Sequence, residues 1–134
     1  MAIAIYHNPD CGTSRNTLAM IEAAGEAPVV IEYLQTGWTV PQLQGLFAAA
    51  DLTPRDALRV SKSPADALGL LTPDISDAAL LEAMVAHPIL VNRPIVCTPN
   101  GVRLCRPSER VLDLLAAPPE AFTKEDGEVV RPRG

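Results

Sequence analysis

The chain has few aromatic residues: one Trp, two Tyr and two Phe in 134 residues. Its core must rest on Leu, Ile, Val and Ala, and a hydrophobic fraction of 48% is enough for one. Histidine is nearly absent. His7 and His87 lie far apart, with no paired cysteine spacing beside them, so no metal site is expected. Basic charge is also short, at 11 Lys and Arg against 16 Asp and Glu, a net charge of −5. That balance argues against nucleic-acid binding, which needs a basic surface. No apolar run approaches the ~20 residues of a membrane helix. The N-terminus lacks a basic segment followed by an apolar one, so no signal peptide is expected either. The cysteine count is three, an odd number without the spacing of a disulfide scaffold. That fits a reducing cytoplasm better than secretion. The length suggests one domain over residues 1–134.

What is present is concentrated near the start. Ala2 to Tyr6 reads as a strand, with Ile3 and Ile5 flanking Ala4. Asn8-Pro9 marks a turn. Thr13 and Ser14 are helix-start residues, and apolar positions at Leu18, Ile21 and Ala24 continue the helix until Gly25 stops it. Cys11 therefore sits at a helix mouth. Free N–H groups and the positive end of the dipole there can lower a thiol pKa and cradle an anion. Gly12, Thr13 and Ser14 supply those N–H groups, and the two hydroxyls are further donors; ordinary capping would use the same atoms. Two familiar thiol signatures are missing. A Cys and an Arg separated by five residues would wrap a phosphate, but position 17 is Thr17. A Cys-x-x-Cys dithiol would need a cysteine at position 14, where Ser14 stands. His7 can act on Cys11 electrostatically or simply bond the turn, and is an auxiliary candidate.

Pro28 to Leu34 is rich in β-branched residues and reads as a second strand. Strand, helix and strand at this spacing predict a parallel pair. From about residue 39 to 86 the pattern is helical. Thr39 with Gln42 forms a capping box, Thr53-Pro54 opens a short helix through Leu58, and Ser76-Asp77 opens a third that Pro88 ends. Strands return as a hairpin. Pro94 to Thr98 and Val102 to Cys105 flank Pro99-Asn100-Gly101, and Asn-Gly as the two-residue turn pairs Cys97 with Leu104. In that pairing Cys97 and Cys105 point to opposite faces and cannot bond each other. Cys11 then has no internal partner, and a thiol from another molecule must complete any redox cycle. Pro107 opens a last helix, and the charged tail from Lys124 to Gly134 is expected to be loose.

The order β-α-β, helical block, β-β-α is that of a thioredoxin-like α/β core with a mixed four-stranded sheet and a helical insertion between the second and third strands. Four stretches resemble the glutaredoxin- and glutathione-coupled arsenate reductases: His7-Asn8-Pro9-x-Cys11-Gly12-Thr13-Ser14-Arg15-Asn16-Thr17, His87 to Val96, Arg103 to Glu109, and Ala121 to Glu128. The resemblance spans nearly the whole chain. It implies that Cys11 is the nucleophile toward arsenate and that Arg59, Arg93 and Arg106 bind the oxyanion beside Gly12, Thr13 and Ser14. It further implies a cis bond before Pro94, glutathione as cosubstrate, glutaredoxin as partner, no bound cofactor, and a place in arsenic detoxification. Guanidinium suits this task, presenting a planar fork that stays charged. Two other classes share the architecture: Spx-type regulators that bind RNA polymerase, and glutathione-dependent thiol oxidoreductases. Observed polymerase binding without turnover would mark the first. Activity on mixed disulfides without arsenate turnover would mark the second.

Overall fold

The computed structural model describes residues 2–133. Residues 2–32 and 93–133 form one compact unit, and Tyr33–Asn92 a second. In the first unit β1 (Ala4–His7) lies beside β2 (Val29–Glu32), β3 (Ile95–Thr98) and β4 (Gly101–Leu104) in the sheet order β2-β1-β3-β4. β1 and β2 are parallel, as the strand-helix-strand spacing requires, with Ala4 opposite Val29 and His7 opposite Glu32. β1 and β3 are antiparallel, with Ile5 opposite Val96. This is the thioredoxin-like arrangement.

Helix α1 (Gly12–Ala23) joins β1 to β2. Its buried positions Ser14, Thr17, Met20 and Ile21 recur at helical spacing and form one stripe. Gly25, at φ +81°, takes the left-handed turn that ends the helix, and its N–H donates to the Glu22 carbonyl. Met20 and Ile21 enter a cluster with Ile3, Ile5, Val96, Cys105, Val111, Leu112 and Leu114. Burying a side chain of this size contributes roughly 1.5–3 kcal/mol each. The cluster thus fixes α1 against the sheet, and with it the loop that carries Cys11.

Several sequence expectations are corrected. β2 ends at Glu32, and Tyr33–Thr36 (α2) turns helical. The hairpin pairs Cys97 with Val102 and Thr98 with Gly101, so the turn is Pro99-Asn100 and the register differs by two residues from the Asn-Gly reading. Thr98 Oγ1 stabilises this turn by accepting the Asn100 N–H (3.0 Å). Facing repeats every two residues, so Cys97 and Cys105 still point to opposite faces. Ser108–Leu114 is 3₁₀, not α-helical, and follows a second cis bond, Arg106-Pro107, that the sequence did not announce. The tail is not loose through its described part. Phe122–Thr123 (β5) pairs with Val129–Val130 (β6) around Gly127 at φ +92°, and Val130 is buried. Gly134 lies outside the described residues.

The second unit is helical. In α3 (Val40–Ala49) the capping box is present, with Gln42 N–H donating to Thr39 Oγ1 (3.2 Å) and Thr39 N–H to Gln42 Oε1 (3.3 Å). Ser76 caps α4 (Asp77–Ala86). The short helix expected from Thr53 does not form. Thr53 and Asp56 bond each other reciprocally as at a helix start. Beyond them, however, the Ala57 carbonyl accepts the Asn92 N–H, Leu58 bridges Val91, and the Arg59 N–H donates to the Leu90 carbonyl. Backbone groups that a helix would need are used in this pairing instead. No described helix is long and apolar enough to cross a membrane.

Candidate active site

Cys11 is the N-cap of α1, in extended backbone at φ −103°, ψ 120°. Asn8 builds the loop before it. Its carbonyl accepts the Cys11 N–H (3.1 Å), and its Oδ1 accepts the Asp10 N–H (2.9 Å). Asn8 is itself buried. The sequence marks this stretch as a turn but gives no sign that the Asn8 side chain closes it.

The Cys11 thiol is 6% exposed. Burial opposes the thiolate and is the largest single influence. It is outweighed by the Ser14 N–H, the Arg93 charge, the Thr13 N–H and a hydrogen bond from Arg93, and the net pKa lies below the ordinary value. Arg93 stands at the cis bond to Pro94, where the resemblance placed one, and is buried. Arg106 approaches from β4, donating from Nη1 to Cys11 Sγ at 3.9 Å and to the Arg93 carbonyl at 3.2 Å. The structure therefore brings Cys11, Thr13, Ser14, Arg93 and Arg106 together from three segments. Gly12 opens the helix between Cys11 and Thr13; a Cβ there would meet only ordinary contacts at 3.6 and 3.8 Å.

The hydroxyls serve differently from expectation. Ser14 Oγ is fully buried, lies 2.6 Å from His7 Nδ1, and accepts the Asn8 N–H at 3.1 Å. It braces the loop, and Ser14 faces the thiol through its backbone. His7 is buried, and burial lowers its pKa; Glu32 opposes and Arg15 adds to that lowering. That direction favours the neutral ring beside Ser14. Thr17, the residue at the phosphatase-arginine position, donates its hydroxyl to the Thr13 carbonyl (2.8 Å).

Arg59 belongs to the second unit. It is buried, and its Nε donates to the Ser61 carbonyl (2.9 Å). The remaining cysteines lack the donors that lower the Cys11 pKa. Burial raises the Cys97 thiol, and it pushes Cys105 up to about 12. All three cysteines are free, and no cluster of three metal-binding side chains occurs among the described residues.

A loop before a helix that lowers one thiol pKa, flanked by a cis proline and two arginines on a thioredoxin-like sheet, defines a thiol-dependent class of protein built to meet an oxyanion. Residues 6–114 match the ArsC family, and the chain belongs to that family. It is 70% identical over 129 residues to an arsenate reductase of Synechocystis sp., covering 96% of this chain and 92% of that one. It is 52% identical over 129 residues to the arsenate reductase of Escherichia coli (strain K12), with the same coverage. The solved arsenate reductase from Vibrio cholerae superposes with a TM-score of 0.81 at 42% identity, covering 86% of this chain and 98% of that one.

Proposed function

We propose that this protein reduces arsenate to arsenite in the cytoplasm, using Cys11 as nucleophile, glutathione as cosubstrate and glutaredoxin as the thiol partner. The observation that carries the reading is a thiol of lowered pKa bracketed by the Ser14 and Thr13 N–H groups and by Arg93 and Arg106, in a chain of the ArsC family. These donors suit a tetrahedral oxyanion, and each charge-assisted hydrogen bond contributes roughly 1.5–3 kcal/mol. The family resemblance, not a contact, assigns Arg59 to the same oxyanion as a third guanidinium, and Gly12 offers its N–H at the start of α1.

The Cys11 thiolate attacks arsenic and an oxygen leaves as water, its departure favoured by donors aimed at the oxygens. Glutathione then condenses with the adduct, displacing a second oxygen. Two electrons pass from thiol sulfur to arsenic as arsenite leaves, and the sulfurs end as a disulfide that glutaredoxin returns to thiol. Cys11 is read as needing this outside thiol because Cys97 and Cys105 face opposite ways and burial raises the pKa of both. The test is arsenate-dependent NADPH oxidation, coupled through glutathione reductase for glutathione and glutaredoxin and, in parallel, through thioredoxin reductase for thioredoxin. Oxidation that requires both glutathione and glutaredoxin is expected. Oxidation supported by thioredoxin alone would overturn the choice of donor, and no arsenate-dependent oxidation from any thiol would overturn the reductase reading.

A further inference from the structure

Beside Cys11 stands a guanidinium that the anion site does not use. Arg15 is one turn into α1, its N–H bonded to the Cys11 carbonyl (2.9 Å). Its Nη1 donates to the Pro9 carbonyl (2.9 Å), and a Cβ placed on Gly12 would lie 3.6 Å from its Nη2. The guanidinium therefore sits on the lip of the nucleophile loop. It grips a carboxylate there with both arms: Nε to Glu125 Oε1 at 2.8 Å and Nη2 to Glu125 Oε2 at 3.1 Å. Both side chains are about half exposed, at 45% and 51%. Exposed ion pairs of this kind are worth only ~0–1 kcal/mol, so the grip is easily exchanged.

The backbone beneath Glu125 does not depend on that grip. The Glu125 N–H donates to Asn16 Oδ1 (3.0 Å). Next to it, Lys124 Nζ is largely buried and pairs with Glu109 Oε1 at 2.8 Å. Glu125 can release Arg15 while the β5–β6 hairpin stays in place. We propose that Arg15 binds the carboxylate of an anionic thiol approaching Cys11, with Glu125 as the exchangeable carboxylate that occupies Arg15 between encounters. This rests on the thiol-dependent reading above and adds to it the residue that selects the thiol.

The experiment compares alkylation of Cys11 in the full-length protein by iodoacetate, which carries a carboxylate, and by neutral iodoacetamide, each read by peptide mass. The ratio of the two rates cancels thiolate fraction and access. Glu125→Gln should raise the ratio and Arg15→Gln lower it, each by about threefold, the size expected for one unit charge removed at short range in water. Arg15→Lys keeps the charge but loses the fork, and should lose at least half of the parent ratio. In arsenate turnover the KM for glutathione should fall in Glu125→Gln and rise in Arg15→Gln, with kcat moving less. Ratios that move together in Glu125→Gln and Arg15→Gln would mean a purely structural strap and overturn the proposal. A parent-like ratio in Arg15→Lys would mean only a diffuse field and also overturn it. If the parent turned over no arsenate, the reductase reading would fail, and the alkylation ratios would still decide this one.

Discussion

Cys11 and Cys105 make an instructive pair. Both are buried, at 6% and 0% exposure, and both have arginine charge nearby. Burial is the largest influence on each, yet one thiol ends below its ordinary value and the other is pushed up to about 12. The difference lies in how deeply each sulfur is desolvated and in its hydrogen bonding: Cys105 is the more deeply buried of the two. Cys11 meets N–H donors at a helix start, which favour the thiolate. Cys105 sits in the apolar cluster, and its Sγ–H donates to the Arg103 carbonyl at 3.7 Å, a bond that only the protonated form can make. Arg103 and Arg110 pull the Cys105 pKa down, and desolvation wins against both. Nearby positive charge alone does not lower a thiol pKa here; shallower burial together with aimed donors does.

The largest effect should come from Cys11→Ser, which removes the thiolate while leaving the shape. Arsenate turnover should fall to the detection limit with the fold intact by circular dichroism. Cys105→Ala or Cys97→Ala should leave substantial turnover. A Cys105 variant that folds but is as inactive as Cys11→Ser would break the comparison.

Next come the donors. Arg93→Ala and Arg106→Ala should each lower kcat/KM for arsenate by about tenfold or more, since ~1.4 kcal/mol is a factor of ten. Both should also move Cys11 alkylation to higher pH. Arg59→Ala should lower turnover by a similar factor, and Lys at any of the three should restore only part. Arg110→Ala and Arg131→Ala should behave like the parent in steady-state kinetics, and equal small losses at all five positions would dissolve the three-arginine site.

The two thiols should also leave opposite marks on stability. Between its lowered folded value and the ordinary 9.0, Cys11 is ionised when folded and protonated when unfolded. Stability from this group therefore rises with pH across that window and is lost as pH falls through the folded value. Between 9.0 and about 12, Cys105 keeps its proton when folded and loses it when unfolded. Its contribution is complete below 9.0 and declines as pH rises. Each slope is about 1.4 kcal/mol per pH unit at most. Denaturant titrations of Cys11→Ser and Cys105→Ala should flatten the first and the second slope respectively.

The smallest effect on chemistry is expected at Ser14→Ala. The variant keeps the N–H that faces Cys11 and removes only the hydroxyl shared by His7 and Asn8. Stability should drop by roughly 1–3 kcal/mol, the cost of buried polar groups left without partners. Cys11 alkylation should change far less than in Arg93→Ala.

The sequence made the nucleophile loop legible because everything that positions Cys11 is local: an Asn-Pro turn, a cap and a helical stripe within a few residues. The resemblance supplied Arg93, Arg106 and the cis bond before Pro94. The failures occur where distant partners decide. Thr53 and Asp56 start a helix correctly, but Leu90 and Asn92, more than thirty positions on, claim the backbone groups it needs. Lys124 and Glu125 look like solvated tail charges until Glu109 and Arg15 are found opposite them. A two-residue strand such as Val129–Val130 is too short to show a period. The hairpin slipped by two residues because the turn is stabilised by the Thr98 hydroxyl, which the favoured Asn-Gly pair obscured.

The placement of the three thiols also sets how a loaded protein can move on. Cys97 pairs with Ala4, at the opposite end of β1 from His7 and the nucleophile loop, and Cys105 is sealed in the core. An adduct on Cys11 thus has no unimolecular way out through another cysteine of the chain. Its only route forward to arsenite is second order, at a rate that falls in proportion as the surrounding thiol is diluted, while water returns the rest to free thiol and arsenate. Without outside thiol the protein would therefore cycle between free and loaded forms with no net reduction, and adding thiol would start turnover without refolding or exchange among its own cysteines.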